Sequence, residues 1–323
     1  MKRKALSLLL VLSLAAMMLA GCSGSGSDAD KVYSIGVCQL VEHPALDAAT
    51  NGFKDALVAK IGVDKVKFDV QNAQGEQATS ATICNGFVAD NVDLILANAT
   101  TPLQTAAAAT SSIPILGTSV TDYASALQIT NWTGATGRNI SGTSDLAPID
   151  QQEKMLKELF PDAKKVGLLY CTAESNSAYQ IDMFIKSLEQ DGIAYVKYGI
   201  ADSNEIQSVV STAVSECDVL YIPTDNTLAN ATETVYNIVV PAGIPVIVGE
   251  EGMCKGCGVA TLSISYYDIG YTTGEMAYEV LVNGKDISTM DVKYAPTSTK
   301  KYNKSICEKL GVTVPSDYVA IEE

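Results

Sequence analysis

Apolar residues recur along the chain in two alternating arrangements. Short continuous apolar runs alternate with segments in which apolar residues return every three or four positions. The runs are typical of strands buried on both faces of a parallel sheet, and the spaced residues are typical of amphipathic helices. One such series starts at "YSIGVCQLVEHP" and ends at "IPILGTSVTD", and a second starts at "KVGLLYCTAESN" and ends at "IPVIVGEEG". The chain therefore contains an internal repeat of alternating strands and helices.

Strands that alternate with helices predict right-handed βαβ units, so each series predicts one α/β lobe. The fold class that follows is α/β, with two Rossmann-like parallel-sheet lobes. A strand and a helix from about Tyr267 to Leu281 follow the second series, and the tail predicts a short strand and one more helix. Crossings near residues 145, 262 and 296 predict a multi-strand hinge. The predicted limits are 33–145 plus 262–295 for lobe 1, and 146–261 plus 296–323 for lobe 2.

Polar segments directly follow the strands of both series, as in "QLVEH", "TSVTD", "PTDN" and "GEEG". In open parallel sheets, ligands bind outside the carboxyl ends of the strands. The polar segments of the two lobes therefore predict one ligand cleft between them. The sequence offers no G-x-S-x-G elbow for a nucleophile, so we expect no enzyme activity. A secreted hydrolase on an α/β scaffold is the alternative in another functional class.

The first residues carry a secretory signal. "MKRK" precedes a largely apolar stretch of 16 residues, at whose end Leu19, Ala20, Gly21 and Cys22 match the pattern of a bacterial lipoprotein signal. This predicts a signal peptide over residues 1–21, acylation of Cys22 and a flexible tether over residues 22–32. An ordinary signal peptide is the alternative. We expect an extracytoplasmic protein, lipid-anchored to the bacterial cell membrane.

Acidic residues exceed basic ones, 37 to 22, for a net charge of −15. Loss of residues 1–21 would remove three basic residues and no acid, leaving a net charge of −18. This balance argues against binding of nucleic acid. "CKGC", residues 254–257, leaves a thiol pair, a local disulfide and a metal site open. Because the chain has a single histidine, we expect no metal site and no cofactor.

Five segments resemble a known family: "IGVCQLVEHPALDAATNGF", "RNISGTSD", "PTDN", "EEGM" and "YYDIGYTTGEMA". In this order they resemble the substrate-binding lipoproteins of a bacterial ABC importer family that includes tryptophan- and phenylalanine-binding members. The resemblance covers about residues 33–315 and implies the type I periplasmic-binding-protein fold. It implies a monomeric clamp that captures a small ligand, an aromatic or other hydrophobic amino acid, and delivers it to a membrane permease. A ligand sensor of the same fold is a further alternative.

His43 is the central candidate residue of the predicted ligand site. It directly precedes Pro44, so its backbone is expected to be extended and Pro44 to begin a helix. The positive N-terminus of that helix would suit a ligand carboxylate, with His43 and Gln39 adding side-chain donors. A histidine that only caps the loop is the alternative.

A second set of candidate residues would bind a ligand ammonium group or line the cleft. Asp145, Asp225 and Glu250 (or Glu251) are the carboxylates that follow predicted strands, and each could instead be an exposed loop acid. Hydroxyl and amide side chains in the same segments complete the predicted ligand-binding set: Thr100, Thr101, Ser119, Thr121, Ser175, Asn176 and Asn226. Ser175 and Asn176 would also suit a helix cap.

Overall fold

A computed structural model describes residues 31–322 of the chain. The predicted signal peptide, Cys22 and most of the predicted tether lie outside the described residues. Within residues 31–322, every helix is too short or too polar to cross a membrane.

Thirteen strands are described, in two sheets. The strands are β1 (Tyr33–Gln39), β2 (Val66–Asn72), β3 (Leu94–Asn98), β4 (Ile115–Val120), β5 (Ile140–Ser144), β6 (Lys165–Cys171), β7 (Ala194–Ile200), β8 (Val219–Ile222), β9 (Val246–Val248), β10 (Ala260–Ser263), β11 (Lys293–Tyr294), β12 (Thr299–Tyr302) and β13 (Val319–Ala320).

Twelve α-helices are described between them. The helices are α1 (Pro44–Ile61), α2 (Gln77–Ala89), α3 (Thr100–Ala109), α4 (Tyr123–Ala126), α5 (Ile149–Leu159), α6 (Ser175–Gln190), α7 (Ile206–Glu216), α8 (Asn226–Ala229), α9 (Thr232–Ala242), α10 (Glu251–Gly256), α11 (Tyr266–Leu281) and α12 (Lys304–Leu310). Short 3₁₀ turns lie at Val63–Lys65, Ser203–Glu205 and Ile287–Thr289.

The two sheets have the repeated topology that the sequence predicts. The first has the strand order β11-β5-β4-β3-β1-β2 and the second β13-β12-β10-β9-β8-β6-β7. All neighbouring strands are parallel except β10 and β12, which are antiparallel. The chain passes from one sheet to the other after β5, after β10 and after β11. The residue limits of the two lobes stay a prediction.

Helices cover both faces of each sheet, which explains the uninterrupted apolar strands. Every residue of β3 and β4 is buried. In the first sheet, Ile35 packs with Phe53 on one face, and Cys38 packs with Phe87 on the other. Burial on both faces leaves no exposed side on which polar residues could alternate.

Glycines bring α1 and α11 into close contact. A Cβ built on Gly270 would overlap the carbonyl group of Ala49 in α1, and a Cβ on Gly274 would lie 2.5 Å from the carbonyl oxygen of Phe53. On the facing helix, a Cβ on Gly52 would lie 2.9 Å from the nitrogen of Tyr271. The helices therefore pack backbone against backbone. This contact fixes the position of α1, which carries His43 at its N-terminus.

The cysteines between Cys38 and Cys307 are seven free, buried thiols. Burial raises the pKa of Cys257 to about 12 and raises that of Cys254 well above its ordinary value. The structure therefore shows the "CKGC" segment as a pair of buried thiols and not as a disulfide. Within residues 31–322, no three His, Cys, Asp or Glu side chains are grouped so as to hold a metal ion.

Candidate functional site

His43 lies where the two lobes meet. It is the N-cap residue of α1 with extended backbone (φ −159°), and Pro44 occupies the first turn, as predicted from the sequence. The side chain is 7% exposed. Its Nε2 lies 3.2 Å from Oδ1 of Asn226, the first residue of α8 beyond the second sheet. This hydrogen bond connects the first lobe to the second.

A small cavity of about 10 Å³ lies beside this hydrogen bond. It is lined by His43, Leu46, Ser119, Asp145, Asn176, Thr224, Asp225, Asn226, Ala229, Glu250 and Tyr266. The lining comes from both lobes and, among the described residues, includes no lysine or arginine. A groove of about 300 Å³ adjoins it at Asn226, and one of about 900 Å³ adjoins it at Glu250 and Tyr266.

Three carboxylates line this cavity, and burial changes their ionisation. Asp225 is 2% exposed, and burial, reinforced by the negative charge of Glu174, raises its pKa to about 8. Burial likewise raises the pKa of Glu250 to about 7 and raises that of Asp145. The ionised form of each is disfavoured because little water reaches it. A cationic group placed among them would restore the charged forms.

Each carboxylate also has a structural contact. Asp225 caps α8, accepting hydrogen bonds from the backbone nitrogens of Leu228 (2.9 Å) and Cys171 (2.6 Å). Glu250 caps α10, accepting from the backbone nitrogens of Gly252 and Met253. A carboxylate has about four lone-pair directions, so two such bonds leave capacity for a ligand.

Asp145 follows β5, at the first crossing between the sheets. Its oxygens accept hydrogen bonds from the hydroxyl of Thr121 (3.0 Å) and from that of Tyr266 (2.8 Å). Tyr266 begins α11, directly after the second crossing. The bond with Tyr266 therefore connects the first crossing between the lobes to the second.

Two polar atoms that line the cavity have no hydrogen-bond partner within residues 31–322. These are Nδ1 of His43 and Oγ of Ser119. Ser119 has a positive φ of 56° and lies in a register shift between β4 and β5, a conformation that non-glycine residues rarely adopt. Unpaired buried polar atoms and strained backbone are both frequent at ligand sites.

The structure brings seven predicted site residues to the cavity lining: His43, Ser119, Asp145, Asn176, Asp225, Asn226 and Glu250. Five others lie outside it: Gln39, Thr100, Thr101, Thr121 and Ser175. Thr101 lines the 300 Å³ groove, and Thr100 is buried with an unpartnered hydroxyl. Ser175 is exposed in the first turn of α6. Contact of any of these residues with a ligand stays a prediction.

Gln39 illustrates why a residue after a strand can miss the cleft. Its Nε2 donates to the carbonyl of Val41 (2.9 Å) and to Asp47 (2.7 Å), and its Oε1 accepts from Thr50 (2.7 Å). These bonds use the amide to hold α1 against β1. The sequence did not show that the Gln39 amide would bond to residues of α1.

Sequence reasoning did not find Leu46, Thr224, Ala229 and Tyr266 in the lining, nor Glu174 beside it. Tyr266 and Glu174 had a usable signal, because each lies in a polar segment directly after a strand. Leu46 and Ala229 are apolar helix residues, which look the same in sequence whether they face a core or a ligand.

The chain is similar to known proteins over nearly all of its length. The family model described as "ABC transporter substrate binding protein" matches residues 34–321. The tyrosine-binding protein of Clostridioides difficile (strain R20291) is 39% identical over 302 residues, which cover 90% of this chain and 87% of that protein.

Two solved structures of similar sequence differ in how well they superimpose on this chain. A Streptococcus pneumoniae domain in complex with L-Trp is 32% identical and superimposes with a TM-score of 0.85, covering 88% of this chain and 97% of that one. The ligand-free, open structure of a substrate-binding protein with adhesive properties from Clostridium difficile is 38% identical. It covers 90% of this chain and 100% of that one, with a TM-score of only 0.68.

The more similar sequence thus gives the poorer superposition. The sheet topology and these neighbours show the type I periplasmic-binding-protein fold, as the resemblance implied. With two lobes that meet across a buried polar cavity and a family match over residues 34–321, the chain belongs to the ABC transporter substrate-binding protein family.

Proposed function

We propose that this protein is a lipoprotein that captures an aromatic amino acid between its lobes and delivers it to an ABC permease. The observation that carries the proposal is the convergence of Asp145, Asp225 and Glu250 on one interlobe cavity. The names of two relatives support the ligand class, because one binds tyrosine and the other was solved with L-Trp.

The carboxylates supply the acceptors that an α-ammonium group requires. Asp225 and Glu250 come from the second lobe and Asp145 from the first crossing, so an ammonium among them would interact with both lobes. Interaction with both lobes favours the closed arrangement over the open one. This differential affinity is what couples ligand capture to closure.

The first lobe supplies the donors that an α-carboxylate requires. In the first turn of α1, Pro44 has no N–H and the N–H of Asp47 donates to the carbonyl of His43 (3.0 Å), which leaves those of Ala45 and Leu46 without partners within the helix. Leu46 lines the cavity. The hydroxyl of Ser119 adds a donor from β4. A carboxylate at a helix N-terminus is stabilised by these N–H groups and by the helix dipole.

Entry of an aromatic ligand requires the lobes to separate. A cavity of about 10 Å³ holds about one water-sized sphere, far less than an aromatic side chain. The crossings after β5, β10 and β11 are the segments that would bend. Acylation of Cys22 would keep the released cargo beside the permease.

Thermal unfolding of the full chain in detergent, with each of the twenty amino acids, tests the proposal. A ligand at 100 times its dissociation constant adds about 2.7 kcal/mol to the free energy of unfolding. We expect a clear rise in Tm with tyrosine or tryptophan and none with aspartate, which would add a negative charge. Absence of any rise with all twenty would reject the amino-acid ligand.

A further inference from the structure

We infer that Glu174 positions His43 through Asn226, so that His43 presents the lone pair of Nδ1 to the ligand as a hydrogen-bond acceptor. Glu174 does not line the small cavity and would not touch the ligand there. It is a positioning residue that acts across the contact between the two lobes.

The first step is the hydrogen bonding of Glu174, which is 6% exposed. Its carboxylate accepts five hydrogen bonds: from Nδ2 of Asn176, from the backbone nitrogen and Nδ2 of Asn226, and from the backbone nitrogen and hydroxyl of Thr227. Because a carboxylate only accepts hydrogen bonds, the side chain of Asn226 must turn its nitrogen toward Glu174. The Nδ2–Oε2 distance is 2.6 Å.

The second step follows from the two ends of the Asn226 amide. With Nδ2 committed to Glu174, Oδ1 faces Nε2 of His43 at 3.2 Å. An amide oxygen only accepts hydrogen bonds, so Nε2 of His43 must carry the proton. The contact therefore selects one tautomer of the ring.

The third step concerns the other ring nitrogen. Burial lowers the pKa of His43, outweighing the hydrogen bond with Asn226 and the carboxylates of Glu174 and Asp47, which act in the opposite direction. The ring is thus neutral near pH 7, and a neutral ring protonated at Nε2 has a lone pair at Nδ1. Nδ1 is buried and has no hydrogen-bond partner in the described part of the chain, and His43 lines the same cavity as Asp145, Asp225 and Glu250.

An acceptor at Nδ1 changes the role expected for His43. The sequence suggested a donor for the ligand carboxylate, but a neutral ring with a lone pair at Nδ1 would repel a carboxylate there. The group that fits is an N–H donor. On the proposed function, on which this step rests, that donor is the α-ammonium group.

Nitrogen NMR of the full chain with ¹⁵N-labelled histidine tests the tautomer directly. His43 is the only histidine of the sequence, so its two ring nitrogens give the only two ring signals. Near pH 7 we expect Nε2 at the position of a protonated ring nitrogen and Nδ1 at that of an unprotonated one. A protonated Nδ1 would overturn the inference.

Addition of tyrosine or tryptophan tests the ligand contact. The Nδ1 signal should shift in the direction of an accepted hydrogen bond while Nδ1 stays unprotonated. Binding that leaves the Nδ1 signal unchanged, or that protonates Nδ1, would overturn the contact. If no amino acid binds, both the proposed function and the ammonium contact are wrong. The NMR spectrum of the ligand-free protein still shows which tautomer His43 adopts.

Three variants test the role of Glu174, each checked for folding by circular dichroism. Glu174→Gln replaces an acceptor oxygen with a donor, and Asn226→Ala removes the amide that contacts His43. Each should give a mixture of His43 tautomers and about tenfold weaker ligand binding, because a hydrogen bond to a charged group is lost or misdirected. Glu42→Gln is the matched control, since exposed Glu42 precedes His43 and loses the same charge.

Glu42→Gln should keep the single tautomer and the affinity. A single Nε2-protonated tautomer in both Glu174→Gln and Asn226→Ala would overturn the positioning role. If Glu174→Gln does not fold, Asn226→Ala alone decides, because the Glu174–Thr227 bonds do not depend on the Asn226 side chain.

Discussion

Replacement of Gly270 by alanine should destabilise the first lobe through the contact between α1 and α11. The new Cβ would overlap the carbonyl group of Ala49, a backbone group that cannot rotate away, so the helices must separate. Overpacking of this kind costs about 1–3 kcal/mol, and the better helix propensity of alanine offsets about 1 kcal/mol of that. We expect a net loss of up to about 2 kcal/mol in the free energy of unfolding.

Urea denaturation followed by circular dichroism measures this loss, and Gly86→Ala in α2 is the matched control. A Cβ on Gly86 meets no atom within 4 Å, so this variant gains helix propensity without a clash. Its free energy of unfolding should rise by up to about 1 kcal/mol. If both variants changed stability in the same direction, the proposed packing of α1 against α11 would be wrong. Because α1 carries His43, Gly270→Ala should also weaken ligand binding.

Three further predictions concern buried polar groups. The pKa of Glu250 is raised from 4.5 to about 7, so the folded protein holds this proton more tightly than the unfolded chain. The resulting contribution to the free energy of unfolding is complete below pH 4.5 and is lost as the pH rises through 7. The Tm of the ligand-free chain should fall over that range, and Glu250→Gln should flatten the profile; an equal slope in the variant would contradict this. Tyr266→Phe removes a donor to buried Asp145 and should cost about 1–2 kcal/mol in urea denaturation. Tyr267→Phe, whose hydroxyl bonds Asp55 at the surface, should cost less than about 0.5 kcal/mol, and similar losses would refute the distinction. The seven buried thiols should react with iodoacetamide only after unfolding, as counted by mass spectrometry; rapid labelling of Cys257 in the native protein would show that it is exposed.

Much of the fold follows from local signals in the sequence. The apolar runs are strands buried on both faces of the sheets. Because apolar and polar residues do not alternate in them, the sequence already indicated parallel sheets covered by helices. The helix expected from about Tyr267 is found at Tyr266–Leu281. The tail was less predictable, since its two-residue strands β11 and β13 depend on neighbouring strands in the sheets and carry little periodicity of their own.

The site was predictable in part, for a physical reason. A polar residue after a strand lies at the correct edge of the sheet, which placed Asp225 and Glu250 at the cavity. The direction of its side chain depends on partners far away in sequence. Gln39 turns to Asp47 and Thr50 on α1, and Glu174 turns to α8. Long-range partners of this kind leave no pattern in a single sequence.

The three carboxylates of the cavity, which has no lysine or arginine in its described lining, have a consequence for which solutes the protein can retain. An α-keto acid with the same ring and carboxylate as tyrosine lacks the amine, so it would offer neither a donor nor a positive charge to Asp145, Asp225 and Glu250. On the proposed function, the deaminated product of the cargo is therefore bound more weakly than the cargo, although the two share a ring and a carboxylate. The solute's nitrogen, more than its ring, would decide what the importer takes up.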